Sequence, residues 1–182
     1  MARQVLFAQG AGKGTHDEWD DKLVQSLRKN LGDGWSVLYP RMPGEGDPKF
    51  SAWKATLLRE FQNLREGDVL VGHSFGGAVL LHAITEEALP FRPSALVLLA
   101  TPFYGDDGWD GADLELPPDF TRRLPDSLAI RLYHGNRDDT VPFHHLELYR
   151  KAIPRALTTE VPDGDHQFND DLAEVARDIK AC

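Results

Sequence analysis

Asp68-Val69-Leu70-Val71-Gly72-His73-Ser74-Phe75-Gly76-Gly77-Ala78-Val79-Leu80-Leu81 is a short apolar run that breaks into Gly-x-Ser-x-Gly and resumes as a longer apolar run. It predicts a buried strand turning sharply into a buried helix, with Ser74 on the turn. A strand reversing directly into a helix crowds its own backbone, so Gly72 and Gly76 are the positions that cannot carry a Cβ. The turn would stand the Ser74 hydroxyl at the carboxyl end of a sheet and point the Phe75 N–H toward whatever that hydroxyl attacks. Gly-x-Ser-x-Gly alone arises by chance in about one chain in ten of this size. The apolar runs on both sides supply the strand and helix that a chance match lacks. An ordinary helix-capping serine is the competing explanation.

Outward from this unit the chain alternates strand and helix. Val5-Leu6-Phe7-Ala8 predicts a first buried strand, and Gly10-Ala11-Gly12-Lys13-Gly14 a loop after it. Thr15-His16-Asp17-Glu18 reads as a capping box for a helix with Trp19, Leu23, Val24, Leu27 and Leu31 on one face. A glycine loop in this place is either a phosphate cradle or an oxyanion hole. The phosphate pattern fails twice, because Lys13 is followed by Gly14 and the position required to be the first glycine is Phe7. Ser36 to Pro40 predicts a second strand, and Trp53, Leu57, Leu58, Phe61 and Leu64 the stripe of a second helix. After the Ser74 unit, strands are expected at 95–100, 128–133 and 157–161, and helices over 141–153 and around Leu172, Val175, Ala176 and Ile179.

Such a pattern predicts an α/β fold: a three-layer, doubly wound parallel sheet of about six strands, built as one domain over residues 1–182. The irregular stretch is 101–126, rich in Pro, Asp and Glu, and it reads as a loop or short cap, or else as a solvated excursion.

In a doubly wound sheet every strand-to-helix loop opens at the carboxyl edge, so residues after different strands converge. Ser74 follows the third strand, His134-Gly135-Asn136-Arg137-Asp138-Asp139-Thr140-Val141-Pro142 the fifth, and Asp163-Gly164-Asp165-His166-Gln167-Phe168 the sixth. A serine hydroxyl is a weak nucleophile that needs an imidazole to take its proton, and the imidazole needs a carboxylate to hold its tautomer. His166 and an aspartate after the fifth strand would supply both.

The motifs Gly-His-Ser-Phe-Gly, His-Gly-Asn-Arg-Asp-Asp-Thr-Val-Pro and Gly-Asp-His-Gln-Phe, in the order Ser, Asp, His, resemble those of the α/β-hydrolases over nearly the whole chain. The resemblance implies Asp138 as the acid and Asp139 as its neighbour, since Gly135, Asp138, Val141 and Pro142 match the family's Gly-x-x-Asp-x-x-Val-Pro spacing. It also implies a second oxyanion donor, the N–H of Ala11 or Gly10, although the family's usual His-Gly pair is here Gln9-Gly10. With no large lid and no extra leading strands, the chain is similar to the small serine hydrolases related to the retinoblastoma-binding hydrolase, a likeness that rests on size and on the Trp19-bearing helix.

Composition bounds the partners. Asp and Glu number 29 against 20 Lys and Arg, and a net charge of −9 argues against nucleic acid or an anionic membrane surface. No apolar run reaches membrane-spanning length, and a strand pattern at Val5 leaves no space for a signal peptide, so a cytoplasmic location is expected. The single cysteine, Cys182, forms no internal disulfide. No metal is expected: His144 and His145 are adjacent and point apart, and His73, His82 and His134 read as packed side chains.

The expected reaction is cofactor-free hydrolysis of a small-molecule ester or thioester through an acyl-enzyme. A catalytically weak binding protein on the same fold, and an acyltransferase, lyase or cofactor-free peroxidase, are the alternatives. Gln9, Met42, Pro43, Phe103 and Tyr104 are the expected pocket residues, the last two with core packing as an equal reading. The oligomeric state is left open.

Overall fold

The computed structural model describes residues 2–182. Six strands form one parallel sheet: β1 (Arg3–Ala8), β2 (Trp35–Leu38), β3 (Val69–His73), β4 (Ala95–Leu99), β5 (Ala129–Gly135) and β6 (Leu157–Val161), in the order β2-β1-β3-β4-β5-β6. Every adjacent pair is parallel. Five helices connect them: α1 (Asp20–Leu31), α2 (Phe50–Glu60), α3 (Ser74–Glu86), α4 (His144–Ala152) and α5 (Ala173–Lys180).

Because side chains alternate along a strand, the sheet feeds two separate cores. Leu6, Leu70, Leu96, Leu98 and Leu132 pack with Trp53, Leu57, Leu80, Leu146 and Tyr149 under α2, α3 and α4. Val5, Phe7, Val71, Val97 and Leu99 pack with Leu23, Leu27, Val175 and Ile179 under α1 and α5. Strands β3 and β4, covered on both faces, are wholly buried, which is why they read as unbroken apolar runs. The edge strand β6 instead exposes Leu157 and Glu160. The strand order reverses direction between β1 and β3, so their carboxyl ends open a crevice, and the Gln9–Gly14 loop and Ser74 meet there.

Three local expectations change. The capping box at Thr15 does not form; Gly14, at φ 81°, begins a π-helical turn over Thr15–Trp19 with no side-chain cap. The cap comes from another loop: the Glu45 carboxylate accepts the N–H groups of Gly14 (2.9 Å) and His16 (3.0 Å). The wider turn moves the register, so the fully buried residue at the start of α1 is Asp20, while Trp19 is 49% exposed instead of lying on the apolar face. Helix α4 starts at His144, because the N–H groups of Thr140 and Val141 are held by Asp138 Oδ1 in a turn (2.9 and 2.8 Å).

The segment 101–126 is a strap across α3 with two short 3₁₀ turns, Ala112–Leu114 and Phe120–Arg123. Phe120 and Leu124 bury themselves in the core under α3, the His82 ring bonds the Leu114 carbonyl (2.9 Å), and the Phe103 N–H donates to His145 Nδ1 (2.9 Å). Burial and the neighbouring His144 and His134 push His145 down to about 4, which keeps Nδ1 free to accept that bond.

Candidate active site

Ser74 is the first residue of α3 and has φ 51°, a left-handed conformation rare for a residue with a side chain. The turn is possible because its neighbours are glycines. A Cβ on Gly76 would lie 2.1 Å from the Gln9 carbonyl oxygen, and one on Gly72 would lie 2.5 Å from Gly77 Cα. A Gly76→Ala variant must therefore push β1 away from the elbow. It should lose about 3 kcal/mol or more of stability in urea unfolding, far beyond an exposed Gly→Ala change.

His166 lies in the loop after β6, and Asp138 in the turn after β5. Their side chains meet, Nδ1 to Oδ2 at 2.8 Å. The Asp138 carboxyl is fully buried and also stands 3.3 Å from His134 Nε2, whose ring bonds the Val141 carbonyl. Burial alone would raise its pKa. The hydrogen bonds from His134, His166 and the Val141 N–H outweigh that and hold the carboxyl well below its ordinary value. Asp139, by contrast, is exposed and bonds only its neighbour Thr140, so Asp138 is the aspartate that reaches His166. With Nδ1 donating to Asp138, His166 Nε2 carries the lone pair a base needs. Burial lowers the His166 pKa, and the charge of His73 adds to that against the opposing pull of Asp138.

His73, expected from the sequence as a packed side chain, stands beside His166 and bonds its loop. Its ring is buried, 4.7 Å from that of His166 between centroids, with Nδ1 2.9 Å from Asp20 Oδ1 and Nε2 3.0 Å from the His166 carbonyl. Asp20 sits at the start of α1, where nothing in the local sequence marks an aspartate for burial.

Around Ser74 the other expected residues divide. The Gly10 N–H donates to Asp20 Oδ2 (2.7 Å), so of the two N–H groups expected as donors in that loop it is the one already bonded. Gln9 is a buried strut, its Oε1 accepting the Met42 N–H (3.0 Å) and its Nε2 donating to Glu45 (2.7 Å). Met42 is core. Pro43 is exposed, and its carbonyl holds Trp53 Nε1 at 2.6 Å. Phe103 and Tyr104 line a cleft with Pro117, Pro118 and Phe120, in which neither Ser74 nor Phe75 takes part. The cleft that Phe75 does line, about 440 Å³, runs between Phe50 of α2 and Leu114 of the strap. A second cleft, about 420 Å³, is shared by His166, Gln167, Thr140 and the exposed Trp19. Among the described residues, no group of three or more His, Cys, Asp or Glu is placed to hold a metal ion. No helix among them is long and apolar enough to cross a membrane.

The model of the Alpha/beta hydrolase family matches residues 5–177, almost the whole chain. The chain belongs to the α/β-hydrolase family. Comparison with curated proteins gives no match. Among solved structures, this α/β hydrolase is similar to the ydeN gene product of B. subtilis, at 21% identity over 100% of both chains with a TM-score of 0.76. It is also similar to Est1E from Butyrivibrio proteoclasticus, at 17% identity over 99% of this chain and 86% of that one, TM-score 0.74. A third is the 2-hydroxy-6-oxo-6-phenylhexa-2,4-dienoate hydrolase of Rhodococcus sp. strain RHA1, at 15% identity over 98% and 89%, TM-score 0.73. At such identities the likeness is one of fold.

Proposed function

We propose that this α/β hydrolase is a cofactor-free serine hydrolase of small-molecule carboxylic esters, working through an acyl-enzyme. Ser74 attacks the carbonyl carbon as His166 Nε2 takes its proton, and the oxyanion is received by the N–H groups of Phe75 and Ala11. His166 then protonates the leaving group, and a water activated by the same nitrogen releases the acid. Asp138 orients the ring and stabilises its charged form. The observation that carries the reading is the 2.8 Å pair between His166 and a buried, ionised Asp138, at the same sheet edge as a strained serine. The binding-protein alternative needed a loosened Gln9–Gly10 loop. That loop is instead tied by Asp20, Glu45 and Met42.

The two clefts support a substrate with unlike arms. The apolar one between Phe50, Phe75 and Leu114 suits an acyl chain. The leaving group must lie on the side of the base that protonates it, beside Trp19, where Arg137 is paired with Asp163 and the remaining Asp139 and Asp165 disfavour a polyanionic thiol and favour an uncharged alcohol. The narrower kinship with small, lidless hydrolases related to the retinoblastoma-binding hydrolase belongs to this reading on chain size alone, since Trp19 stands outside α1 and is exposed.

The test is a series of 4-nitrophenyl esters of rising chain length alongside coenzyme A thioesters of the same acids, on wild type and Ser74→Ala. Turnover of short and medium esters, weak turnover of the thioesters and none in the variant is the expected pattern. Folded wild type inert toward every substrate, or a Ser74→Ala variant that keeps turnover, would sink the proposal.

A further inference from the structure

We propose that Asp20 and His73 form a second, buried His–Asp couple that positions the active site by holding the Gly10 loop, the Ser74 elbow and the His166 loop together. The proposal rests on the hydrolase reading for its kinetic consequence alone; the couple itself stands on geometry. Asp20 comes from α1 and His73 from the end of β3, one residue before Ser74, and both are sealed from solvent, at 0% and 1% exposure. Both oxygens of Asp20 accept: Oδ2 takes the Gly10 N–H at 2.7 Å and Oδ1 the Gln167 amide at 3.3 Å. His73 Nδ1 lies 2.9 Å from Oδ1 and 3.0 Å from Oδ2, and its Nε2 lies 3.0 Å from the His166 carbonyl oxygen.

A carbonyl oxygen has no proton to give, and the Asp20 carboxyl, which accepts from two other donors and has its pKa lowered, is ionised and has none either. Both ring nitrogens of His73 must therefore donate, and the ring is an imidazolium. Burial opposes that charge, but the Asp20 carboxylate, with help from the His166 carbonyl and Asp138, raises the His73 pKa above its ordinary value. Asp20 correspondingly stays ionised despite its burial, through the charge and hydrogen bond of His73 and the Gly10 N–H.

Two consequences follow for the site. The couple ties together the loop after β1, which carries the Ala11 donor, the elbow, and the loop that carries His166. Three segments far apart in sequence are thereby held in one register, within the fraction of an ångström that productive geometry demands. The charged groups that act most on His166 are Asp138, His73 and Asp20, and Arg137, Asp139 and Asp165 line the cleft it shares. Burial first, and then the nearby His73 cation, make the ring harder to protonate against the pull of Asp138 and Asp20, so the base stays neutral at pH values where an ordinary histidine would already be charged. In the wild type, activity rises with pH through the His166 pKa, and that rise lies below the ordinary imidazole value of 6.5.

The direct test is side-chain ¹⁵N NMR of the histidines in wild type, Asp20→Asn and the double variant His73→Gln/Asp20→Asn, with melting curves for each. Asn at position 20 keeps an oxygen for the Gly10 N–H but removes the counter-charge. In wild type, His73 should keep protons on both nitrogens at pH values where an ordinary histidine has lost one, and a singly protonated His73 there overturns the proposal without any variant having to fold. In the folded variants the His166 midpoint, read by NMR without reference to turnover, should rise, by less than loss of the His73 charge alone would give, because the Asp20 carboxylate that partly offsets that charge is lost with it. The acid limb of kcat/KM should follow it, with kcat reduced on the order of tenfold and KM little changed. A His166 midpoint and kcat equal to wild type in a folded variant would show the couple to be packing only. A moved midpoint in a protein that hydrolyses nothing would leave the couple standing and remove the hydrolase reading instead.

Discussion

Replacing His166 by Ala should lower kcat/KM for a 4-nitrophenyl ester by about four to six orders of magnitude while leaving a cooperatively folded protein. The loss is large because in the proposed mechanism the imidazole serves twice, first taking the serine proton and later delivering a proton to the leaving group. Without it the Ser74 hydroxyl attacks at its unassisted reactivity. The fold should survive because the structural link to this loop runs through the main chain: His73 Nε2 bonds the carbonyl of residue 166, which alanine retains. The Phe168 ring, buried against the core under α1 and α5, anchors the next turn of that loop. Stopped assays and a thermal melt on the same preparation check both halves. Loss of activity together with loss of the cooperative melt would mean that the side chain holds the loop, contrary to this account.

The Asp138→Asn variant should fall by about four orders of magnitude at pH 7, although it changes a single atom type. Asn offers an N–H₂ or a carbonyl where Oδ2 faced His166 Nδ1 at 2.8 Å. The Thr140 and Val141 N–H groups claim its oxygen, as they claim Oδ1 now, so the amide N–H₂ turns toward the imidazole. That forces the proton from Nδ1 to Nε2 and blinds the base. A pH dependence of stability separates this from simple misfolding. The folded-state pKa of Asp138 is depressed, so its stabilising contribution is complete above the unfolded carboxyl value of 3.8 and is lost as pH falls below it. Wild type should therefore lose stability between pH 4 and lower values more steeply than Asp138→Asn, as urea titrations across that range would record.

The sequence already carried the sheet and the convergence of its loops, for reasons visible in particular residues. Buried central strands such as Val69–His73 are apolar throughout, and Gly72 and Gly76 have no room for a Cβ. What the sequence withheld depends on contacts between distant segments. The cap of the first helical turn belongs to Glu45, in another loop, so a local capping box was the wrong place to look. The π-helical turn that exchanged Trp19 for Asp20 at the core leaves no periodicity to read. His73 looked like filler because its partners, Asp20 and the His166 carbonyl, lie 53 and 93 residues away. The clefts escaped for the same reason: the strap brings Leu114 to Phe50 and Phe75, while Phe103 and Tyr104 turn toward Pro117 and Pro118.

The most direct test of the central claim is to treat the folded protein with a fluorophosphonate and locate the adduct by peptide mass mapping, with Ser74→Ala and His166→Ala in parallel. Phosphonylation needs an activated serine and donors for the phosphonyl oxygen, so it reports nucleophile, base and oxyanion hole together. The account predicts one adduct per chain, on Ser74, absent from Ser74→Ala and slowed by orders of magnitude in His166→Ala. An unlabelled wild type with an intact melt, or an adduct on any other residue, would contradict it.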